Sequence, residues 1–177
     1  FVAAKTDPSA KGSRGISIFI VEKGTPGFRV GRALNKSGWL CSDTAELVFE
    51  DCRVPSANLL GEENKGFYQI MRNFQNERMV LVGMGIGAAQ AAIDMTNAYT
   101  QEREAFGGHL YDLGAIRQRM AMNQAKIDAV RASMYHAAWM HDVGQDNVKA
   151  MSGAKAWGAE VVNQVMYDCV QFHGGMG

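Results

Sequence analysis

Two short runs and one helical pair hold the residue types that could do chemistry. Arg103-Glu104-Ala105-Phe106-Gly107 places a permanent cation and a glycine at the end of a long apolar helix pattern. A guanidinium matches phosphate oxygens in a bidentate fashion, and Phe106-Gly107-Gly108 lets a ligand approach the backbone beside it. That combination suits a pyrophosphate; the competing reading is a surface arginine complementing a helix dipole. Gln171-Phe172-His173-Gly174-Gly175-Met176-Gly177 ends another helix pattern in glycines. Glycine after a helix is ordinarily a C-cap, and this is the helix end opposite to the usual phosphate site. Backbone N–H groups of the turn, with a cation from elsewhere, could still hold phosphate, and Gln171 could read an adenine edge. His173 stands alone and suits the negative end of the helix dipole. Glu77-Arg78 lies within a helix pattern, where adjacent residues point about 100° apart and form no simple pair. Glu77 reads either as part of a solvated face or as a base whose pKa burial would raise.

These residues need long helices to carry them. After Gly61 the period is helical, and no proline follows Pro55. Phe67, Ile70, Met71 and Phe74 begin a 3.6-residue stripe that continues through Val82, Gly85, Ala89 and Ile93 to about Arg103. A second stripe runs Ile116, Met120, Ile127, Val130, Met134, Ala138, and a third Met151, Ala154, Gly158, Val161, Val165, Cys169. Asp146-Asn147 is the expected cap between the last two helices. Short connections predict an antiparallel bundle. Gly83, Gly85 and Gly87 lie inside the first helix and predict close approach of a neighbour rather than a nucleotide loop, because the period runs through them.

Before Gly61 the texture is β. Ile16, Ile18 and Ile20 alternate with Ser17, Phe19 and Val21; Phe28, Val30 and Arg32 begin another period-two run. Ala45, Leu47 and Phe49 face one way, Glu46, Val48 and Glu50 the other. The fold class predicted is therefore α+β, a partial antiparallel β-domain over 1–60 followed by a truncated long-helix bundle over 61–177.

Lys+Arg and Asp+Glu balance at 18 each, which argues against nucleic acid or an anionic membrane as the main partner. No unbroken apolar run approaches the ~20 residues of a membrane span. His136, His141 and Asp142 form no metal-ligand array, and three cysteines without metal spacing fit buried thiols in a reducing compartment. Phe1–Thr6 reads as a strand entered halfway, and Gly177 falls inside a motif, so a fragment cut at both ends is expected.

The ordered set of motifs resembles the acyl-CoA dehydrogenase family. The resemblance rests on Ile20–Phe28, Thr44–Pro55, Asn58–Glu62, Lys65–Phe67, Glu77-Arg78, Tyr99, Arg103–Gly107 and Gln171–Gly177, and it covers essentially the whole chain. It implies the end of the family's middle β-domain followed by most of its C-terminal helical domain. It further implies FAD-dependent α,β-dehydrogenation of an acyl-CoA thioester to a trans-2-enoyl-CoA, with electron-transfer flavoprotein as the oxidant. By this resemblance Arg103, Phe106, Gln171, Gly174 and Gly175 would contact the FAD of a neighbouring subunit. Gln75, Asn76 and Arg78 would line the substrate channel. Glu77 would occupy the base position of the isovaleryl- and long-chain members. Most relatives instead use a glutamate shortly after the glycine turn, beyond Gly177. The resemblance implies a homotetramer in bacterial cytoplasm or the mitochondrial matrix. Alternatives on the same fold are an acyl-CoA oxidase, a flavin monooxygenase and a non-catalytic scaffold. Two positions depart from the family pattern: Gly114 stands where a flavin-contacting glutamine is frequent, and Gln75 where an aspartate is frequent.

Overall fold

The computed structural model describes residues 1–177. The chain divides into two compact units, Phe1–Arg72 and Asn73–Gly177. The fold is the expected one, a small antiparallel β portion followed by three long helices.

In the first unit β1 (Val2–Lys5), β2 (Ile16–Phe19) and β5 (Leu59–Leu60) form an antiparallel sheet in the order β1-β2-β5. A separate hairpin pairs β3 (Phe28–Ala33) with β4 (Ala45–Phe49), with a bulge between Val30 and Ala33. The two faces of this hairpin follow the period-two reading except at Arg32, which the bulge moves from the Phe28 face to the charged face. Phe28 stacks on Phe49 with ring centroids 4.9 Å apart, while Arg29–Glu50 and Arg32–Glu46 pair across the strands. In β2 the alternation departs from expectation: Ser17 is fully buried and Ile20 is exposed. The Ser17 hydroxyl is satisfied, because it shares a hydrogen bond with Thr6 Oγ1 and accepts the Asn64 N–H, both at 2.7 Å. Burying a hydroxyl costs little once its partners are fixed. The Lys5 ammonium closes the preceding loop by donating to the carbonyls of Ala10, Gly12 and Arg14 at 2.7, 3.0 and 2.6 Å.

The second unit is built on α1 (Gly66–Glu102), α2 (Gly114–Asp142) and α3 (Val148–His173), with α1 contributing from Asn73 onward. Val82, Ile86, Ala89, Ile93, Ile127, Val130, Val161, Val165 and Cys169 form one core cluster, with members drawn from all three stripes. Consecutive helices are antiparallel. Gln90 meets Gln124 and Arg131, and Asp168 meets Arg119. The paired approaches Val82–Gly158, Gly85–Val162 and Thr96–His173 rise together in number, so α1 and α3 run parallel. Their C-termini therefore lie at the same end.

The close-approach reading of the α1 glycines holds at Gly85, where a Cβ would sit 3.2 Å from Val162 Cγ2. Gly87 faces open space, so its period position alone did not require a small residue. The tightest approach in the bundle is at Gly158, whose Cβ would lie 3.1 Å from Val130 and 3.4 Å from Val82. Asn147 occupies the α3 N-cap, but its side chain donates to the Ala137 carbonyl instead of capping; Asp146 Oδ1 accepts the Val148 N–H at 3.0 Å. By length and composition α1 could cross a membrane, which the run-length reading did not anticipate. Its packed face carries the buried hydroxyls of Thr96 and Thr100, Gln90 faces α2, and Asp94 interrupts the outer face, as in a bundle helix.

The glycine geometry gives a stability test. Gly158→Leu is expected to destabilise by about 1–3 kcal/mol through overpacking against Val130 and Val82. Gly153→Ala, at an open position of the same helix, is expected to stabilise by up to about 1 kcal/mol. Urea unfolding of the two variants measures both signs.

Candidate functional site

Past the end of α1 the chain makes a two-residue hairpin, β6 (Glu104–Ala105) against β7 (Gly108–His109). The Arg103 N–H bonds the Tyr99 carbonyl at 2.8 Å, and the Arg103 carbonyl accepts the Leu110 N–H at 2.9 Å, so the backbone is held from both sides. Its guanidinium is exposed and makes no ion pair or side-chain hydrogen bond. The loop residues Phe106 and Gly107 have φ of +56° and +86°. Positive φ at both loop positions is the type I′ requirement, which Asn-Gly ordinarily fills. A phenylalanine there costs about 1–2 kcal/mol of backbone strain, yet its ring is 88% exposed.

At the same end of the bundle α3 terminates at Gly174, whose φ of +59° and ψ of −129° suit glycine alone. A Cβ at Gly174 or Gly175 would meet nothing within 4 Å, so that face of the turn is open. Gln171 is exposed, and its carbonyl accepts the Gly174 N–H. His173 does more than complement a dipole. Its ring stacks on Tyr99, and its Nε2 lies 3.3 Å from Thr96 Oγ1. The structure thus brings Arg103 and the glycine turn, remote in sequence, to one end of the bundle. An unpaired guanidinium and an open glycine turn at one end of the bundle are the donor types that suit the pyrophosphate of a dinucleotide.

Gln75, Asn76, Glu77 and Arg78 lie in the first turns that α1 contributes to the second unit. At the helical rise, the 26 residues from Glu77 to Arg103 span about 39 Å. Glu77 is exposed and accepts a hydrogen bond from Asn73 Nδ2 at 2.5 Å. No ion pair joins Glu77 to Arg78, as adjacent helical positions require. Gln75 is half-buried, and its Oε1 is shielded from water without a donor. An unsatisfied carbonyl of this kind is satisfied when a donor arrives.

Sequence reasoning missed two polar groupings. Asp168 is buried and accepts from Arg119 Nη1, Asn123 Nδ2 and Gln164 Nε2 at 3.1, 2.9 and 3.0 Å. It pins α2 to α3 one residue before the C-terminal Cys169 of the third stripe. Thr96 and Tyr99 extend the first stripe by three and six residues past Ile93, a spacing that marked them as inward-facing. Burial pushes the Cys169 thiol pKa up, against a hydrogen bond from Thr96, so Cys169 is a neutral core thiol and not a nucleophile.

The family model described as "Acyl-CoA dehydrogenase, C-terminal domain" matches residues 64–177. Isovaleryl-CoA dehydrogenase of Pongo abelii is 44% identical over 99% of this chain and 42% of its own length. Long-chain specific acyl-CoA dehydrogenase of Sus scrofa is 40% identical over 99% of this chain and 41% of its own length. Butyryl-CoA dehydrogenase from Megasphaera elsdenii superposes with a TM-score of 0.92 at 37% identity, covering 98% of this chain and 45% of that one. The structure described as the FAD complex of PigA gives a TM-score of 0.90 at 29% identity, over 98% of this chain and 45% of that one. The chain therefore spans less than half the length of these relatives.

The strain at the hairpin tip can be measured. Phe106→Asn is expected to raise the stability of the protein by about 1 kcal/mol, because asparagine tolerates positive φ. A Phe106→Ala variant, which keeps the strain, separates this gain from loss of the exposed ring; both are read by thermal unfolding.

Proposed function

Because the chain belongs to the acyl-CoA dehydrogenase family, we propose that the protein carrying it is an FAD-dependent acyl-CoA dehydrogenase. The observation that carries the reading is the convergence of an unpaired Arg103 and the open Gly174-Gly175 turn at one end of the bundle. Arg103 and the backbone of the turn would hold the pyrophosphate, Gln171 the adenine edge, and Phe106 would cover the cofactor from the hairpin tip. The FAD complex among the structural neighbours supports this choice of cofactor. When bound, FAD supplies the acceptor for a hydride from substrate Cβ.

The chain's own residues supply the other half of the reaction. Loss of hydride from Cβ leaves an enoyl thioester once a base has taken the Cα proton. Glu77 would be the base at the helix position that resembles that of the isovaleryl and long-chain members, and the likeness to those enzymes supports the role; the alternative is a glutamate beyond Gly177. The carboxylate oxygen would accept the proton, becoming a neutral acid, while the C–H electron pair becomes the new Cα=Cβ bond. Arg78 and Asn76 would line the channel, and the undonated Gln75 Oε1 would accept from the substrate's amide or hydroxyl groups.

The span between Glu77 and Arg103 argues for shared sites. It exceeds what the five-carbon ribityl chain between a flavin's ring and its pyrophosphate can bridge. Glu77 would therefore serve one flavin while Arg103 serves the flavin of a neighbouring subunit, in a closed assembly for which a tetramer is proposed. The domains are taken as 1–60 and 61–177, supported by the family model's start at residue 64. Electron-transfer flavoprotein is proposed as the oxidant, in a bacterial cytoplasm or mitochondrial matrix.

Two variants of the full-length protein test this reading. Arg103→Ala is expected to weaken FAD binding by about 10–100-fold, the worth of hydrogen bonds to a charged group. Unchanged FAD affinity would leave Arg103 a helix-end cation. Glu77→Gln is expected to bind FAD and acyl-CoA normally but slow anaerobic flavin bleaching by at least about 100-fold. Near-normal bleaching would remove Glu77 from proton abstraction. Peroxide formed rapidly in air by the parent would identify an oxidase instead.

A further inference from the structure

One residue of α1 touches both runs assigned to the flavin. The Tyr99 carbonyl accepts the Arg103 N–H at 2.8 Å. The Tyr99 ring lies on the His173 imidazole, with centroids 4.2 Å apart and planes 18° from parallel. The Tyr99 hydroxyl also reaches the His173 carbonyl at 3.5 Å. The other side of the pair is fixed by Thr96, whose buried hydroxyl lies 3.3 Å from His173 Nε2. His173 is the last residue of α3, and the glycine turn follows it directly.

We propose that Tyr99 and His173 form a positioning pair that presets the distance between Arg103 and the Gly174–Gly177 turn, so that the two runs bind flavin as one unit. The inference rests on the flavin reading above. Neither run is rigid on its own account. The hairpin after α1 pairs only two residues per strand, and the turn after α3 is three glycines and a methionine. Ordering each run at the moment of binding would cost backbone conformational entropy for every residue fixed. A flat ring-on-ring contact seated on Thr96 removes much of that cost before the ligand arrives, the ordinary gain from preorganisation. Tyr99 and His173 need touch no ligand to do this, and they act through Arg103 and the turn.

The test is a double-mutant cycle in the full-length protein, stripped of flavin and titrated with FAD by flavin fluorescence. Tyr99→Phe keeps the stack and is expected to bind within about twofold of the parent. Tyr99→Leu loses it and is expected to weaken binding about tenfold. In the Tyr99→Leu background Arg103→Ala should cost about tenfold less than in the parent, since the unit is already broken. Amide exchange of the flavin-free protein gives a second readout. Residues 103–109 and 171–177 should lose protection together in Tyr99→Leu and keep it in Tyr99→Phe. Additive effects of Tyr99→Leu and Arg103→Ala, or loosening of one run without the other, would overturn the pairing. If Tyr99→Leu does not fold, His173→Phe and His173→Ser make the same comparison from the other ring. A parent protein that binds no FAD would refute the flavin reading, and the exchange experiment then decides the pairing by itself.

Discussion

A single helix of 37 residues carries Glu77 in its second quarter and ends one residue before Arg103. No proline or break interrupts it, so the separation of the two side chains is set by helical rise and cannot relax. Everything assigned to the chain's chemistry follows from that fixed length. In the proposed reading acid–base chemistry would belong to one part of the helix and phosphate recognition to the other, and no bending of loops would join them within one subunit. The β6–β7 hairpin and the glycine turn are both short and both at the far end, where their placement depends on where α1 and α3 stop.

The parallel contact between α1 and α3 in turn depends on small residues. Gly85 admits Val162, and Gly158 admits Val82 and Val130. With larger side chains the helices would stand farther apart, and the Tyr99–His173 stack, now with centroids 4.2 Å apart, would loosen. Glycine inside a helix costs about 1 kcal/mol each relative to alanine. Here that cost is offset by dispersion contacts along the seam and by the alignment of the two C-termini. Asp168, with three donors from Arg119, Asn123 and Gln164, locks α2 against α3 near the same end. Core packing and the geometry of the candidate site are therefore one problem.

Helices, hairpins and core were legible in the sequence because periodicity records burial directly. All six residues of the third stripe, Met151 through Cys169, are buried. The alternation along β3 and β4 was legible too, although its apolar residues Val30, Leu47 and Phe49 are exposed here. What period could not convey was partnership. Ser17 looked like an outward polar residue because its partners, Thr6 and Asn64, are remote in sequence. Asn147 sat where a cap belongs but gives its amide to Ala137. His173 was visible as a helix-end imidazole, whereas its stack on Tyr99 depends on α1 and α3 running parallel, a fact no single stripe contains. The runs at Arg103 and Gly174 were conspicuous as residue types; their meeting at one end required the topology.

The energetics of that end also bear on why it is built as it is. Phe106 holds a left-handed backbone and an almost fully exposed ring, two unfavourable choices at one residue. Arg103 keeps a guanidinium without an acid beside it, and Gly174 gives up conformational entropy in a turn that a Cβ-bearing residue could not adopt. Gly174 is an ordinary glycine cap, but stability alone does not favour the other two, since asparagine at 106 and a carboxylate opposite Arg103 would each be more favourable in isolation. Strain and unmatched charge persist where the surrounding structure over-determines them, and the proposed Tyr99–His173 pair would hold Arg103 and the turn in that way. A ligand apolar where Phe106 lies and anionic where Arg103 lies would cover the exposed ring and pair the guanidinium together, while the backbone strain would remain.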